Sequence, residues 1–250
     1  MIDAQALADD IDGQLREKGT VDRARGEKAY LKSNLVHHGA SVWEIRRVVR
    51  AFTQQHPSLT EPELSRLVTA LWSQAVHERR LAAVILLDSS SSVLGPEDLA
   101  LIERLLRDSH TWAYVDGLAG DVTGSILVRH PEALPALDLW AADADFWIRR
   151  SALLAMIQPL KDGAAFERFA GYADSMLEEK EFFIRKAIGW VLREVGKTRS
   201  DEVYDWLLPR ARRASGVTVR EAVKYLDAGQ REAILRARLS EKALQDLGEK

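Results

Sequence analysis

Apolar residues recur along the chain at the three- and four-residue spacing of an α-helix, and no segment alternates strictly as a half-buried strand would. Proline and glycine fall between the periodic segments. One helix start is well marked, because Thr60 is followed three residues later by Glu63 in a capping-box pattern. The pattern predicts an all-α protein.

A repeat of about 35 residues runs through this helical pattern. Five similar segments are marked by Arg80, Asp116, Arg150, Lys186 and Arg220, at steps of 36, 34, 36 and 34 residues. Two helices per step are typical of an α-solenoid, in which stacked helix pairs share one core. We therefore expect one solenoid domain over residues 1–240, followed by a polar tail over residues 241–250.

Composition indicates where the protein is located more clearly than what it does. The chain has 250 residues, 46% of them hydrophobic, and no cysteine, which excludes disulfides and thiolate chemistry. The start is acidic and polar, unlike a secretory signal, and the longest apolar run, residues 81–87, is too short to cross a bilayer. We expect a cytoplasmic protein, associated with the nucleoid if it binds DNA, and no membrane partner.

The net charge of −3 is small, so the chain is not basic overall, but a basic stripe on one face is still compatible with it. Most repeat markers and their neighbours are basic, and stacked repeats would align them into a cationic track suited to a phosphate backbone. Solvated helix ends or intramolecular ion pairs are the alternative interpretation. The residues concerned are Arg79, Arg80, Arg149, Arg150, Arg185, Lys186 and Arg220.

Asp116 is the acidic exception among these markers. It lies four residues after Trp112, so a helix would place the indole and the carboxylate on one face. A carboxylate beside an aromatic ring suits a substrate that becomes positively charged. Trp112 as a core tryptophan and Asp116 as a turn residue before Gly117 are the structural alternatives.

Histidine gives no metal motif in the sequence. The pair His37 and His38 resembles a fragment of a metal site, but no third ligand follows at suitable spacing. His77 and Glu78 lack the second histidine of a zinc-protease helix. We expect a loop histidine pair, no metal and no cofactor.

Three segments resemble the bacterial AlkD-type alkylpurine DNA glycosylases. They are the Trp112 and Asp116 pair, the stretch Trp147-Ile-Arg-Arg-Ser-Ala, and the stretch Glu181-Phe-Phe-Ile-Arg-Lys-Ala-Ile-Gly-Trp-Val-Leu-Arg-Glu. Upstream, Ala29-Tyr-Leu-Lys-Ser is similar to the Tyr-x-Lys segment of that family. The resemblance extends from about Tyr30 to Tyr225.

The resemblance implies a HEAT-like helical-repeat solenoid, an α-α superhelix, whose concave face grips duplex DNA. It implies a base-excision repair hydrolase that cleaves the N-glycosidic bond of cationic N3- or N7-alkylated purines. Members of this family need not rotate the damaged nucleotide into a tight pocket, the usual strategy for chemistry on a base. A monomer without cofactor or metal is expected to act on double-stranded DNA.

The resemblance also implies site residues. Asp116 takes the catalytic carboxylate position, and Trp112 and Trp190 take the aromatic positions that pack against the lesion. Arg150 takes the position near the lesion phosphate, and Tyr30 that of an N-terminal contact. From the basic track, Arg149 and Lys186 are added as predicted DNA contacts.

One position departs from the family pattern. Ala113 follows Trp112 where a second bulky aromatic is expected in some relatives. Either Tyr114 compensates or the neighbouring cleft is roomier, which leaves the preferred lesion size open. A non-catalytic DNA-structure binder and a protein-binding scaffold on the same fold are the competing functions.

Overall fold

The computed structural model describes residues 2–164 and 166–239, so the predicted tail at 241–250 lies outside the described residues. The chain forms two compact units, which meet in sequence between Pro131 and Glu132. The single domain over residues 1–240 stays a prediction.

Helices account for nearly all regular structure in both units. The N-terminal unit contains α1 (Ala4–Lys18), α2 (Val21–Leu31), α3 (Val42–Gln55), α4 (Glu61–Trp72), α5 (His77–Ser89), α6 (Leu99–Ser109), α7 (Trp112–Asp116) and α8 (Gly124–Arg129). The C-terminal unit contains α9 (Ala136–Ala141), α10 (Phe146–Ala155), α11 (Ile157–Lys161), α12 (Phe166–Met176), α13 (Phe182–Gly196), α14 (Ser200–Leu207), α15 (Gly216–Ala222) and α16 (Ala228–Arg238).

The prediction of an all-α fold is confirmed. The only β pairing in the described ranges is an isolated bridge between Val36 and Val76. No helix within these ranges combines the length and the apolar character needed to cross a membrane. The predicted capping box is present, since the Glu63 carboxylate accepts from the Thr60 N–H at 3.3 Å and from its hydroxyl at 2.9 Å.

The predicted repeat is visible as a recurring helix start. Arg80 is the fourth residue of α5, whereas Asp116, Arg150, Lys186 and Arg220 are each the fifth residue of their helices. The recurrence has a local cause, because a polar side chain caps most of these starts and satisfies a backbone N–H that the helix leaves open. The capping residues are Thr111, Asp145, Glu181 and Ser215.

Each unit is built around one central helix. In the N-terminal unit α5 is buried along nearly its whole length and packs against α1, α3 and α4. In the C-terminal unit α13 packs against α10, α14 and most extensively α15. Gly189 permits this last contact, because a Cβ there would lie 2.7 Å from the Thr218 carbonyl oxygen of α15.

Candidate active site

The helix that carries Trp112 and Asp116 changes geometry at the candidate site. Helix α7 ends at Asp116, the chain continues as a π-helical turn over Gly117–Thr123, and α8 follows without a break. The Thr123 hydroxyl donates to the Leu118 carbonyl at 2.8 Å, which supports the widened turn. Single π turns inside α-helices frequently mark functional sites.

Gly117 brings this helix close to the centre of the N-terminal unit. A Cβ on Gly117 would lie 2.8 Å from a Val84 methyl of α5, so the small residue permits the close approach. Asp116, directly before it, is half-buried. Trp112, one turn earlier, keeps 37% of its surface exposed and is therefore not a core tryptophan.

A cleft of about 260 Å³ opens beside Trp112. Tyr30 of α2 forms part of the rim, and its ring meets the indole edge to face, with centroids 6.1 Å apart and planes at 84°. Tyr30 itself is 74% exposed. The structure thus brings together two of the predicted site residues, Tyr30 and Trp112, with Asp116 one turn along the same helix.

The cleft combines apolar walls with acidic groups. Carboxylates of Glu27, Asp88 and Asp121 line it together with one cation, Arg46. Burial raises the pKa of Glu27, and the nearby Glu78 adds to this effect, although Arg23 opposes it. Aromatic faces and an excess of acids favour a cationic group in this cleft.

The structure excludes one of the two explanations offered for Ala113. Tyr114 does not compensate for the missing aromatic, because it is buried and its hydroxyl lies 2.6 Å from Nδ1 of His77. Its ring packs edge-on against Trp72. Ala113 lines the cleft directly, and a roomier cleft than that of relatives with an aromatic residue there stays a prediction.

The remaining predicted residues lie in the C-terminal unit. Trp190 on α13 is half-buried, and the Arg193 guanidinium lies 6.0 Å from its ring centroid. Arg150 on α10 is only 2% exposed and donates to the Phe183 carbonyl at 2.5 Å. Burial of this kind gives Arg150 a structural task within the unit.

The two added cations are already matched by acids. Arg149 forms a two-pronged ion pair with Glu179, at 2.9 and 2.8 Å, and also donates to the Asp143 carbonyl. Lys186 pairs with Glu221 at 2.6 Å. A phosphate at either position would exchange one anion for another, so their role as DNA contacts stays a prediction.

Comparison of the sequence with models of protein families identifies the family of this chain. A family model described as DNA alkylation repair enzyme matches residues 11–226. The chain belongs to this family of DNA alkylation repair enzymes. No curated protein matches the chain.

Solved structures agree with this family in fold. A predicted DNA alkylation repair enzyme from Enterococcus faecalis is 24% identical, with a TM-score of 0.77, over 84% of this chain and 98% of that chain. AlkD2 from Streptococcus mutans is 20% identical, with a TM-score of 0.58, over 75% of this chain and 91% of that chain. At these identities the likeness shows the shared helical-repeat fold.

A DNA alkylation repair enzyme needs cations for the phosphate backbone, and sequence reasoning missed the clearest group of them. Arg46, Arg47 and Arg50 lie with Trp43 on one exposed face of α3, at helical spacing. The Arg47 guanidinium stacks over the Trp43 ring at 4.7 Å. None of the three arginines has an acidic partner among the described residues. The i, i+3, i+4, i+7 spacing of these four residues was the available signal.

Proposed function

We propose that this member of the family is a monofunctional glycosylase. Its substrate is double-stranded DNA that contains cationic N3- or N7-alkylated purines. The enzyme hydrolyses the bond between the purine and the deoxyribose without obligatory rotation of the nucleotide out of the duplex. The products are the free purine and an abasic site.

One observation carries the proposal. Asp116 occupies the helix position that Arg150, Lys186 and Arg220 occupy in the following repeats, so an acid replaces a cation. It lies one turn from the exposed Trp112, which lines a cleft with more acids than cations; Asp116 itself is half-buried and does not line that cleft. Such an arrangement is poor for anionic DNA in general and suited to one positive charge at a defined place.

The chemistry needs that one stabilised charge. An N3- or N7-alkylated purine is already cationic and leaves as a neutral base without protonation. The sugar becomes oxocarbenium-like as the bond breaks, and water then adds to C1′ with loss of a proton. Asp116 stabilises the sugar cation and orients the water, a contribution of about 2.7–4 kcal/mol by analogy with other preorganised groups. The indole face of Trp112 adds about 0.5–2 kcal/mol.

Strand cleavage by a lysine Schiff base is not part of the proposal. Such chemistry requires a neutral, accessible amine. The Lys186 amine is engaged in an ion pair with a carboxylate oxygen of Glu221 at 2.6 Å, so it is not available as a free nucleophile. Borohydride is therefore expected to trap no protein–DNA adduct.

Base release from duplex DNA containing 7-methylguanine tests the proposal. Wild type is expected to release the base, and Asp116→Asn to slow release by about 10²–10³-fold, as for loss of one preorganised group. Asp205→Asn is the matched control, because Asp205 is an exposed residue of α14 in the C-terminal unit. A panel of duplexes with bulkier N3 and N7 adducts then measures how the rate of base release depends on lesion size, which tests the space that Ala113 leaves in the cleft.

Two outcomes would overturn the proposal. Absence of base release by wild type, with salt-sensitive binding to the same duplex, would assign a non-catalytic DNA binder. Equal rates for wild type and Asp116→Asn would remove Asp116 from the chemistry.

A further inference from the structure

Three ionisable side chains converge beneath the cleft in the N-terminal unit. Glu27 comes from α2, His37 from the segment between α2 and α3, and His77 from the start of α5. The Glu27 Oε2 atom lies 3.8 Å from Nδ1 of His37 and 3.9 Å from Nε2 of His77. The two imidazole rings stack at 4.4 Å with an angle of 7° between them. Two histidines and a carboxylate from separate segments thus face one small volume.

These groups are buried without the partners that burial normally demands. The His37 side chain is 1% exposed, yet neither ring nitrogen has a hydrogen-bond partner among the described residues. Oε2 of Glu27 is likewise without one. A buried polar group left unpaired costs about 1–3 kcal/mol. Two of these atoms, Oε2 of Glu27 and Nδ1 of His37, face each other, so one ligand between them would satisfy both.

His77 is oriented as a metal ligand would be. Its Nδ1 atom lies 2.6 Å from the Tyr114 hydroxyl, which also lies 3.5 Å from the His77 carbonyl oxygen. In the tautomer with hydrogen on Nδ1, Tyr114 accepts from Nδ1–H and the lone pair of Nε2 faces Glu27, and a metal at Nε2 would select this tautomer. Metal-bound histidines commonly donate their other N–H to such a partner, which fixes the ring and its tautomer.

The backbone around His37 is also fixed. Val36 pairs on one side with the Ala75 carbonyl and the His77 N–H, both at 2.9 Å. On the other side, Glu78 accepts from the N–H groups of His38 and Gly39, at 2.9 and 2.6 Å. The segment therefore holds His37 against α5, while no hydrogen bond among the described residues fixes the orientation of its ring.

We propose that Glu27, His37 and His77 form a binding site for a divalent transition-metal ion of the zinc type. Two histidines and one carboxylate are a known zinc ligand set, and three protein ligands leave a fourth position for water. Metal–ligand bonds near 2.0 Å place tetrahedral ligand atoms about 3.3 Å apart. The three ligand atoms lie within 4.8 Å of one another, and the distances of 3.8 and 3.9 Å to Glu27 need a contraction of about half an ångström. The His37 ring must also turn out of its stack on His77, because two parallel rings cannot both direct an in-plane lone pair at one ion.

The ion would fasten α2 to the rest of the unit. Helix α2 has no fully buried residue, so apolar packing alone holds it weakly. A metal shared by Glu27, His37 and His77 links α2, the following segment and α5. Because Tyr30 is the next turn of α2, the same link holds Tyr30 against Trp112.

Metal binding by the full chain tests the site. Protein freed of metal with a chelator is titrated with zinc chloride, and cobalt(II) supplies a visible spectrum of the bound ion. Wild type is expected to bind one equivalent and to gain thermal stability with zinc. His37→Leu and Glu27→Gln are expected to weaken binding more than about 100-fold, and Tyr114→Phe by about 10-fold, as for loss of a ligand orienter.

The variants separate a metal site from simple packing. If the cluster only packs, His37→Leu removes two unpaired buried nitrogens and leaves the response to zinc unchanged. His56→Gln is the histidine control, since His56 stacks on Phe52 at the end of α3, outside the cluster. Circular dichroism in chelator shows whether each variant is folded.

Trypsin gives an independent readout of the link. Arg23, Arg25 and Lys28 lie on α2 and are exposed. Zinc is expected to slow cleavage there at least severalfold in wild type but not in His37→Leu. Binding of less than about a tenth of an equivalent by wild type, or equal zinc affinity in wild type and His37→Leu, would overturn the proposal. Neither result depends on glycosylase activity.

Discussion

The two units treat their polar groups differently. In the C-terminal unit most cations near the repeat helices have an acidic partner close to one repeat away. In the N-terminal unit the exposed arginines of α3 have no acidic partner within the described residues. In the Glu27–His37–His77 cluster, Oε2 of Glu27 and both ring nitrogens of His37 are buried without a hydrogen bond. The C-terminal pairs are Arg149–Glu179, Lys186–Glu221, Arg193–Glu221, Arg210–Asp174 and Arg213–Glu178.

This difference separates scaffold from function. A hydrogen-bonded ion pair uses its donors and acceptors inside the protein and fixes one helix against another. A polar group without a partner inside the protein can still bind a ligand. Whether the group is buried or exposed indicates which kind of ligand it binds. Buried ligands suit a metal ion, and exposed arginines suit phosphate. We therefore expect substitutions in the C-terminal unit to affect stability first, and those in the N-terminal unit to affect binding and activity first.

The largest stability effect is expected at Gly189. An alanine Cβ there meets the Thr218 carbonyl oxygen at 2.7 Å and forces α13 and α15 apart. Overpacking of this kind costs about 3 kcal/mol, and the helix propensity of alanine returns about 1 kcal/mol. Urea unfolding of Gly189→Ala should show a net loss of about 2 kcal/mol.

Gly117→Ala is the matched substitution in the N-terminal unit. Its Cβ would meet only a Val84 methyl, at 2.8 Å, and that side chain can shift. We expect little net loss of stability but slower base release, because Val84, which must shift to make room, lines the cleft beside Trp112. Equal stability losses for the two glycine variants would contradict the proposed division between scaffold and site.

The next effect concerns Glu221 and depends on pH. Burial opposes its ionisation, but Lys186 and Lys224 outweigh burial and lower the pKa of Glu221 to about 2. Its stabilising effect is therefore present above the unfolded pKa near 4.5 and is lost as pH falls through about 2. Glu221→Gln should cost about 1.5 kcal/mol at pH 7, after discounting for the solvent around the lysines.

Unfolding measured at pH 7, 5 and 3 checks this dependence. The difference between wild type and Glu221→Gln should shrink steadily below pH 5. Glu232→Gln is the control, because Glu232 and its partner Arg236 are both largely exposed, and such pairs contribute little. A Glu221→Gln penalty that is constant from pH 7 to pH 3 would count against the Glu221 network.

The repeat could be predicted from the sequence because its causes are local. Helical spacing, the capping residues Thr111, Asp145 and Ser215, and the small residues after each marker all lie within a few positions of the helix that they specify. From the sequence, the basic residues could be either DNA contacts or members of intramolecular ion pairs. The spacing of opposite charges, however, could have identified the pairs. Lys186 and Glu221 are 35 residues apart, close to one repeat, so opposite charges at that separation identify partners.

The buried cluster was missed for the opposite reason. Glu27, His37 and His77 come from three segments with no fixed spacing, and only the packing of α2 and α5 brings them together. A search for a third ligand near His37 and His38 in sequence therefore fails. The π turn after Asp116 lies where Gly117 packs closely on Val84, and this contact between distant residues cannot be predicted from the local sequence.

The salt dependence of DNA binding is expected to depend on three arginines of α3. The triple variant Arg46→Gln, Arg47→Gln, Arg50→Gln removes three unpaired cations from α3. If each contacts phosphate, the slope of log affinity for duplex DNA against log salt should fall by about 0.9 per contact, up to about 2.7. Binding by fluorescence anisotropy at several salt concentrations measures the slope.

A second triple variant with the same change in net charge is the control. Arg168→Gln, Arg210→Gln and Arg213→Gln remove cations that pair with Asp138, Asp174 and Glu178. Because these charges are already neutralised inside the protein, their loss should change the slope by less than about one unit. Equal changes in the two triple variants would show that overall charge, and not the α3 face, governs binding.

The smallest effect is expected at Tyr30, where the ring matters and the hydroxyl does not. Its edge-to-face contact with Trp112 belongs to a class worth about 0.5–1.5 kcal/mol, so Tyr30→Ala should slow single-turnover base release about 2- to 12-fold. Tyr30→Phe keeps the contact and should remain within about twofold. Leu139→Ala is the control, because Leu139 is 77% exposed and lies in the C-terminal unit. If Tyr30→Phe loses as much activity as Tyr30→Ala, the hydroxyl contacts the DNA, and the aromatic contact with Trp112 is incidental.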